Sequence, residues 1–198
     1  MKGITGILLA AGTSSRMGEE NKLLLHFRGH PMIRHVAEQL LEAGVEEVLV
    51  VLGHEAHQIG AALEDLPVRL IFNENYCLGM TSSIQAGVCA LSPGCAAFMV
   101  CLGDMPLLSG AHYAALVHFF EEKKKTHPAP ILRPAGSKGQ GHPVLFDAHY
   151  IPAILACGES EGCREVIQQN RGHFFGFPSE DEAWFLDLDE RKDYEQWR

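Results

Sequence analysis

Short apolar segments that alternate with amphipathic segments constrain the fold of this chain more than any other feature. Four of them are expected to be buried strands, at residues 4–10, 48–52, 68–72 and 96–102. Residues 4–10 are apolar on both faces, as in strands of a parallel sheet. Helices are expected between the strands at 32–43, where Ile33, Val36 and Leu40 share one face, and at 56–63. This order predicts right-handed βαβ crossovers and an α/β fold with a mostly parallel sheet.

The second half of the chain continues the pattern. Ser109 is expected to cap a helix that runs to about Lys125. Glycines make Ala135–Gly141 a predicted flexible loop, and a helix is expected to end near Gln169. Further strands are predicted at 131–133, 142–146, 174–177 and 184–189, and a terminal helix contains Tyr194. Because no linker or repeat interrupts the 198 residues, the expectation is one domain, 1–198.

Composition excludes several classes of function. The formal charge of −9 argues against a nucleic-acid backbone as partner. No apolar run approaches the roughly 18 residues that span a bilayer, so no membrane is expected, and the first residues do not resemble a signal peptide. The six cysteines form no C-x-x-C pair, and Cys89 and Cys101 are expected to be small core residues. A reduced, cytoplasmic protein is the resulting prediction.

The first strand runs into a loop suited to phosphate. Gly12 and Gly18 permit close approach of the backbone, and the serines between them, Ser14 included, add short donors. Arg16 and Lys22 add positive charge. Taken alone, the loop fits a strand-to-helix connection without ligand equally well.

A second anion site is expected where residues 73–79 lead into a helix. Thr81 or Ser82 is the predicted N-cap, and a helix start on the ligand side of a sheet attracts anions. Simple capping without a ligand is the alternative.

Carboxylates follow two of the predicted strands. Asp104, in Gly103-Asp104-Met105-Pro106, stands at the carboxyl end of a central strand, where α/β sheets bind ligands. A carboxylate there is well explained as a Mg²⁺ ligand beside nucleotide phosphates. Asp187 and Asp189 alternate with apolar residues and therefore share a face. They are expected either to form the acidic face of an edge strand or to supply a second carboxylate to the metal.

These segments, taken in order, resemble the MobA-like nucleotidyltransferases, and among them most closely the molybdenum cofactor cytidylyltransferases. The resemblance covers nearly the whole chain and rests on five segments: L-L-A-A-G-x-S-x-R-M-G…K, N…G-M-x-x-S, G-D-M-P, G-H-P and D-x-D. It implies a three-layer, Rossmann-like nucleotide-diphosphosugar transferase fold. It also implies transfer of CMP from CTP to the phosphate of molybdopterin, dependent on Mg²⁺ with Mn²⁺ as the alternative.

The resemblance assigns roles residue by residue. Arg16, Lys22 and Asp104 would be catalytic, Asp104 would hold the metal, and one of Asp187 and Asp189 would complete its site. Nucleotide would contact Leu9, Ala10, Ala11, Gly12, Ser14, Arg16, Lys22, Asn73, Gly79, Met80, Ser82, Ser83, Gly103 and Asp104. The molybdopterin substrate would contact Met105, Pro106, Gly141, His142, Pro143 and Arg164.

One departure and several alternatives remain. Glu161 replaces an aspartate that the family often carries before Arg164, which leaves open whether this loop contacts substrate phosphate. Two alanines before Gly12 favour the cytidylyl branch over the guanylyl branch. The alternatives are a guanylyltransferase on the same cofactor, a sugar- or alditol-phosphate nucleotidyltransferase, and a non-catalytic factor that delivers cofactor to a molybdenum hydroxylase client.

Overall fold

The computed structural model describes residues 3–13, 21–158, 163–189 and 191–197. Its strands are β1 (Ile4–Ala10), β2 (His26–Phe27), β3 (His30–Pro31), β4 (Glu47–Leu52), β5 (Arg69–Phe72), β6 (Ala97–Leu102), β7 (Ile131–Gly136), β8 (Gly139–Gln140), β9 (Val144–Asp147) and β10 (Phe174–Pro178). Its helices are α1 (Met32–Glu42), α2 (Ala56–Ala62), α3 (Met80–Cys89), α4 (Gly110–Lys124), α5 (Ile151–Leu155), α6 (Cys163–Gln169) and α7 (Arg191–Trp197).

One mostly parallel sheet organises the molecule. Its strand order is β10-β7-β9-β6-β1-β4-β5, and β8 adds to β7 as an antiparallel hairpin. Strand β1 pairs in parallel with both β4 and β6, and β4 pairs in parallel with β5. Strand β9 runs antiparallel to both of its neighbours, β6 and β7. The carboxyl ends of β1, β5 and β6 therefore meet at one edge of the sheet.

Helices cover both faces of the sheet, which confirms the three-layer α/β class. Leu8 of β1 packs in one core cluster with residues of α1, α2 and α4. Its neighbour Ile7 packs in the other cluster with residues of α3, α5 and α6. Strand β1 is buried along its whole length, as its apolar sequence predicts. In the described part of the chain, no helix is both long and apolar enough to cross a membrane.

Two predicted backbone elements are wrong. Residues 184–189 do not form a strand: Glu182–Trp184 is a 3₁₀ turn, Phe185 continues it as a turn residue, and residues 186–189 have no regular secondary structure. The predicted loop Ala135–Gly141 is the β7–β8 hairpin: Ser137 and Lys138 form its turn, and Gly139, with φ of 105°, begins β8.

Two smaller expectations also fail. Gly79, rather than Thr81 or Ser82, is the N-cap of α3, because the helix begins at Met80. Cys101 is buried as expected, whereas Cys89 is exposed at the last turn of α3. The predicted cap Ser109 is correct: its N–H donates to His112 Nδ1 at 3.0 Å, its hydroxyl oxygen lies 2.7 Å from the same nitrogen, and the His112 N–H donates to the Ser109 carbonyl oxygen.

Candidate active site

A cavity of about 440 Å³ opens at the carboxyl edge of the sheet. Its size is in the range of sites for small molecules and cofactors. The residues that line it come from the ends of β1 and β6, the 3₁₀ turn at 22–24, the segment before α3 with the first turn of that helix, and the segment before α7: Leu9, Ala11, Gly12, Thr13, Lys22, Leu23, Tyr76, Cys77, Gly79, Met80, Ser83, Leu102, Gly103, Asp104 and Asp189.

Two glycines let the backbone close up around the end of β1. At Gly103 a Cβ would come within 3.0 Å of the Leu9 carbonyl oxygen, to which the Gly103 N–H donates at 3.1 Å. At Gly53 a Cβ would lie 2.6 Å from the Tyr76 Cβ and 2.8 Å from the Ala11 Cβ. The contacts at Gly53 are too short for any side chain, and at Gly103 a side chain would force its neighbours to shift, so glycine at both positions preserves the shape of the pocket wall.

Lys22 lies between two carboxylates at the floor of the cavity. Its Nζ donates to Asp104 Oδ2 and to Asp189 Oδ1, each at 2.5 Å. Only 13% of the Lys22 side chain is exposed, against 18% for Asp104 and 30% for Asp189. Burial alone would lower the pKa of Lys22, but the charges of both carboxylates and the hydrogen bonds to them outweigh it and raise that pKa. Lys22 is therefore a fixed cation at neutral pH.

Asp187 joins these carboxylates in a cluster of three. One oxygen from each of Asp104, Asp187 and Asp189 lies within 4.8 Å of the others. Burial, and then the charges of Asp189 and Asp104, raise the pKa of Asp187. Asp104 Oδ1 is buried and has no hydrogen-bond partner among the described residues. Hard oxygen ligands, crowded charge and an unpartnered buried oxygen all fit a divalent cation such as Mg²⁺.

The carboxyl-terminal segment is held to the site by its backbone and by one buried side chain. The Leu188 N–H donates to the Asp104 carbonyl oxygen at 2.9 Å. The Leu188 side chain is fully buried against Phe27 and Met32, at the start of α1. Leu188 thus points inward, and its two acidic neighbours on either side point to the cluster, as the alternation predicts although the segment is not a strand.

Gly79 and the segment before it form another part of the cavity wall. The Asn73 amide donates to the Ser82 and Ser83 hydroxyl oxygens, each at 3.0 Å, and Asn73 Oδ1 accepts from the Asn75 N–H. Gly79 has φ of 106°, a conformation that favours glycine, and it caps α3. The free N–H groups at the start of α3 therefore lie at the cavity, where an anion would be stabilised.

The structure brings together most of the residues predicted to contact nucleotide, but not all of them. Ala10 is buried in the core, and Asn73 is buried with its amide used internally. Ser82 is half-buried, and its hydroxyl donates to the Asn75 and Gly79 carbonyl oxygens rather than lining the cavity. Ser14 and Arg16 lie outside the described residues.

Predicted substrate contacts fall into two groups. Met105 and Pro106 are buried and do not line the cavity, and the Pro106 carbonyl oxygen lies 3.1 Å from His35 Nε2; their contact with substrate stays a prediction. Gly141, His142 and Pro143 precede β9. A Cβ at Gly141 would lie 2.1 Å from the Trp184 carbonyl oxygen, which gives this glycine a structural role. Arg164 is exposed on α6.

Sequence reasoning missed several lining residues. Leu23, Tyr76, Cys77 and Leu102 face the cavity and were not predicted to do so. Tyr76 and Cys77 fall inside the segment that precedes the second predicted anion site, and Leu102 immediately precedes Gly103. Their closeness in sequence to predicted site residues was the only feature that could have indicated that they line the cavity. The contact of Gly53 with Tyr76 could not be inferred from spacing.

Comparisons with known proteins agree with this geometry. The family model described as "MobA-like NTP transferase domain" matches residues 6–174. Nicotine blue oxidoreductase of Paenarthrobacter nicotinovorans is 32% identical, over 84% of this chain and 82% of its own. A probable molybdenum cofactor guanylyltransferase of Natronomonas pharaonis is 31% identical, over 83% of this chain and 74% of its own.

A solved structure supports the fold. Rv0371c from Mycobacterium tuberculosis superimposes with a TM-score of 0.84 at 23% identity, covering 98% of this chain and 96% of that one. At this identity the likeness shows the shared architecture alone.

Proposed function

Since the chain belongs to the family of MobA-like NTP transferase domains, we propose that it transfers CMP from CTP to the phosphate of molybdopterin and releases pyrophosphate. The observation that carries the proposal is the contact of Lys22 with Asp104 and Asp189 at the floor of a cavity large enough for a nucleotide. Gly12 and Thr13 after β1 line the cavity, as does the start of α3, and both would offer backbone N–H groups to phosphates.

The reaction needs no nucleophilic side chain. An oxygen of the acceptor phosphate forms a bond to the α-phosphorus of CTP, and the bond from that phosphorus to the bridging oxygen breaks. Pyrophosphate leaves with the electron pair. A phosphate monoester, with a second pKa of about 6, is already ionised near neutral pH, so no strong general base is required. Catalysis then rests on positioning and on neutralising charge.

Each residue at the floor has a part in this proposal. The ammonium of Lys22 donates hydrogen bonds to phosphate oxygens once CTP competes with its carboxylate partners. Arg16 would add a second cation to the triphosphate. Asp104 with Asp187 and Asp189 would hold Mg²⁺, or Mn²⁺, which supplies further neutralisation of the phosphates when bound. Rv0371c, the structural neighbour from Mycobacterium tuberculosis, has also been solved in complex with manganese.

The choice of base is assigned to the corner after β1. Ala11 and Gly12 line the cavity and leave room where a larger side chain would intrude. Ala10 is turned into the core, so it acts by setting the path of the backbone. The proposal also includes a single domain over residues 1–198, a cytoplasmic location and a molybdenum hydroxylase as the client enzyme. It includes neither a nucleic acid nor a membrane as a partner.

The experiment is turnover with each of the four ribonucleoside triphosphates and molybdopterin, with and without Mg²⁺. Pyrophosphate release with CTP and Mg²⁺, lost in Asp104→Asn, is expected. Preference for GTP would instead match the name of the Natronomonas relative, and turnover of a sugar 1-phosphate would redirect the proposal to another acceptor. Oxidation or reduction of a substrate without pyrophosphate, as the Paenarthrobacter relative's name suggests for that protein, would refute nucleotidyl transfer.

A further inference from the structure

Arg133, in the middle of β7, is a half-buried cation whose hydrogen-bond partners are all neutral. Its Nε donates to the Gly141 carbonyl oxygen at 2.5 Å, its Nη1 to Gln140 Oε1 at 3.2 Å and its Nη2 to His142 Nε2 at 3.2 Å. No carboxylate among the described residues lies within ion-pair distance of it. Burying a guanidinium without a counter-charge is costly, so a position of this kind calls for an anion from outside the chain.

The partner His142 is held in a neutral form. Burial, and then the charge of Arg133, lower the pKa of His142 to about 4. Because a guanidinium can only donate, Nε2 must accept and the ring proton must sit on Nδ1. Nδ1 is itself buried and has no partner among the described residues. His142 therefore accepts from Arg133 without neutralising it, and adds no charge of its own at neutral pH.

Arg164 supplies a second positive charge on the same side of the sheet, because its neighbour Cys163 packs against the core cluster that contains Ile131 of β7. Burial lowers the pKa of Arg133, and the nearby charge of Arg164 lowers it further. Arg164 is exposed at the start of α6. Two like charges repel each other, and an anion bound near both would reduce that repulsion.

The sheet places this cluster beside the cavity. Val144 of β9 pairs with Val100 of β6, so His142, two residues earlier, lies level with Leu102 at the edge that carries Asp104. Val144 and Ile131 both pack in the core cluster under α3 and α6. Side chains two residues away along a strand share a face, so His142 and Arg133 lie on the side of the sheet covered by α3. The cluster therefore lies at the same edge of the sheet as Leu102, which lines the cavity, although none of the cluster's own residues is among those that line it.

We propose that Arg133 binds the phosphate monoester of the acceptor, with Arg164 as the second cation and His142 as a positioning residue. This inference rests on the proposed function: the triphosphate of CTP would bind at Lys22, and the phosphate of the acceptor would bind at Arg133. The planar guanidinium is fixed through Gly141 and Gln140, so its remaining N–H groups can meet two phosphate oxygens in one plane.

The kinetic test compares Arg133→Gln and Arg133→Lys with wild type. Arg133→Gln is expected to raise the KM for molybdopterin by about tenfold or more and to leave the KM for CTP within about twofold. Arg133→Lys keeps the charge but loses the fork, so its KM should fall between the two. The matched control is Arg171→Gln, an exposed arginine before β10, at the opposite edge of the sheet, which should leave both constants unchanged.

Other kinetic outcomes overturn the proposal. An equal rise in both KM values, or a loss of kcat at unchanged acceptor KM, would indicate a merely structural role. If Arg133→Gln does not fold, judged by its circular dichroism, the same comparison is made with Arg133→Lys alone.

A binding measurement separates this proposal from the proposed function. Inorganic phosphate is titrated into isotopically labelled wild-type protein saturated with CTP, and the Nε–H resonance of Arg133 is followed by NMR. A saturable shift, absent with chloride at equal ionic strength, supports the site even if molybdopterin proves not to be the acceptor. An Arg133 resonance that does not respond to phosphate would overturn the site even if CMP transfer is observed.

Discussion

Lys22→Met tests the charge balance of the active site most sharply. Methionine keeps most of the length of the lysine side chain but removes the ammonium that bridges Asp104 and Asp189. Removing one partner of a fully buried ion pair costs about 3–5 kcal/mol, whereas a surface pair contributes about 0–1 kcal/mol. Because Lys22 is 13% exposed and Asp189 is 30% exposed, the expected loss of unfolding free energy lies between these limits, at about 2 kcal/mol.

The effect should depend on metal and on pH in a defined direction. For a domain of this size, about 2 kcal/mol lowers the thermal midpoint by about 4–8 °C in a chelating buffer. A divalent cation can replace the ammonium, and each tenfold excess over its dissociation constant restores about 1.4 kcal/mol. Mg²⁺ should therefore stabilise Lys22→Met more than wild type. Since the pKa of Lys22 is raised in the folded state, its contribution is fully present at pH 7 and is lost only as the pH rises through that raised pKa.

Differential scanning fluorimetry with and without Mg²⁺ measures all of these effects. The control is Lys125→Met, which removes an exposed pair with Glu122 and should change the unfolding free energy by less than about 0.5 kcal/mol. If Lys22→Met matched this control in chelating buffer, or if Mg²⁺ stabilised it no more than wild type, the ammonium would not balance a cation site.

Three further predictions concern the same edge of the sheet. Asp104→Asn should lower kcat for pyrophosphate release by about a thousandfold with an unchanged circular dichroism spectrum; retained turnover would contradict its assignment as metal ligand. Asp187→Asn removes a carboxylate whose pKa is raised, so at pH 7 the metal-free variant should be more stable than wild type, by at most about 2 °C in thermal midpoint. Mg²⁺ should stabilise this variant less than wild type. A lower midpoint than wild type in chelating buffer would show that Asp104 and Asp189 do not repel the Asp187 carboxylate. Gly141→Ala should lower the free energy of unfolding in urea by about 1–3 kcal/mol, because its Cβ would meet the Trp184 carbonyl oxygen, whereas Gly172→Ala, with open space, should be nearly neutral.

Local pattern was sufficient to predict the elements around the site. Strand β1 and the position of Asp104 after β6 follow from apolar runs that end in glycine. A short apolar run bounded by a turn residue is typical of a buried strand. The cap at Ser109 was equally local, since its partner His112 is three residues away. These features depend on neighbours in sequence, which is why sequence alone indicates them.

Other features depend on contacts that spacing does not encode. The segment around Leu188 alternates like a strand, but the Leu188 N–H bonds to the Asp104 loop instead of to a neighbouring strand. Cys89 lies in an apolar stretch, yet the buried face of α3 is set by Thr81, Ile84 and Val88, which leaves Cys89 outside. Lys22 bridges Asp104 and Asp189, which lie 82 and 167 positions further along the chain. Only the folded structure shows this contact.

Transfer of the α-phosphate is the measurement that tests the central claim most directly. Wild-type protein is incubated with Mg²⁺, molybdopterin and CTP radiolabelled at the α-phosphate, and the products are separated. We expect one labelled CMP–pterin product for each pyrophosphate released, and none with Asp104→Asn. Label recovered only in unchanged CTP, or a pterin altered in oxidation state without label, would contradict nucleotidyl transfer at this site.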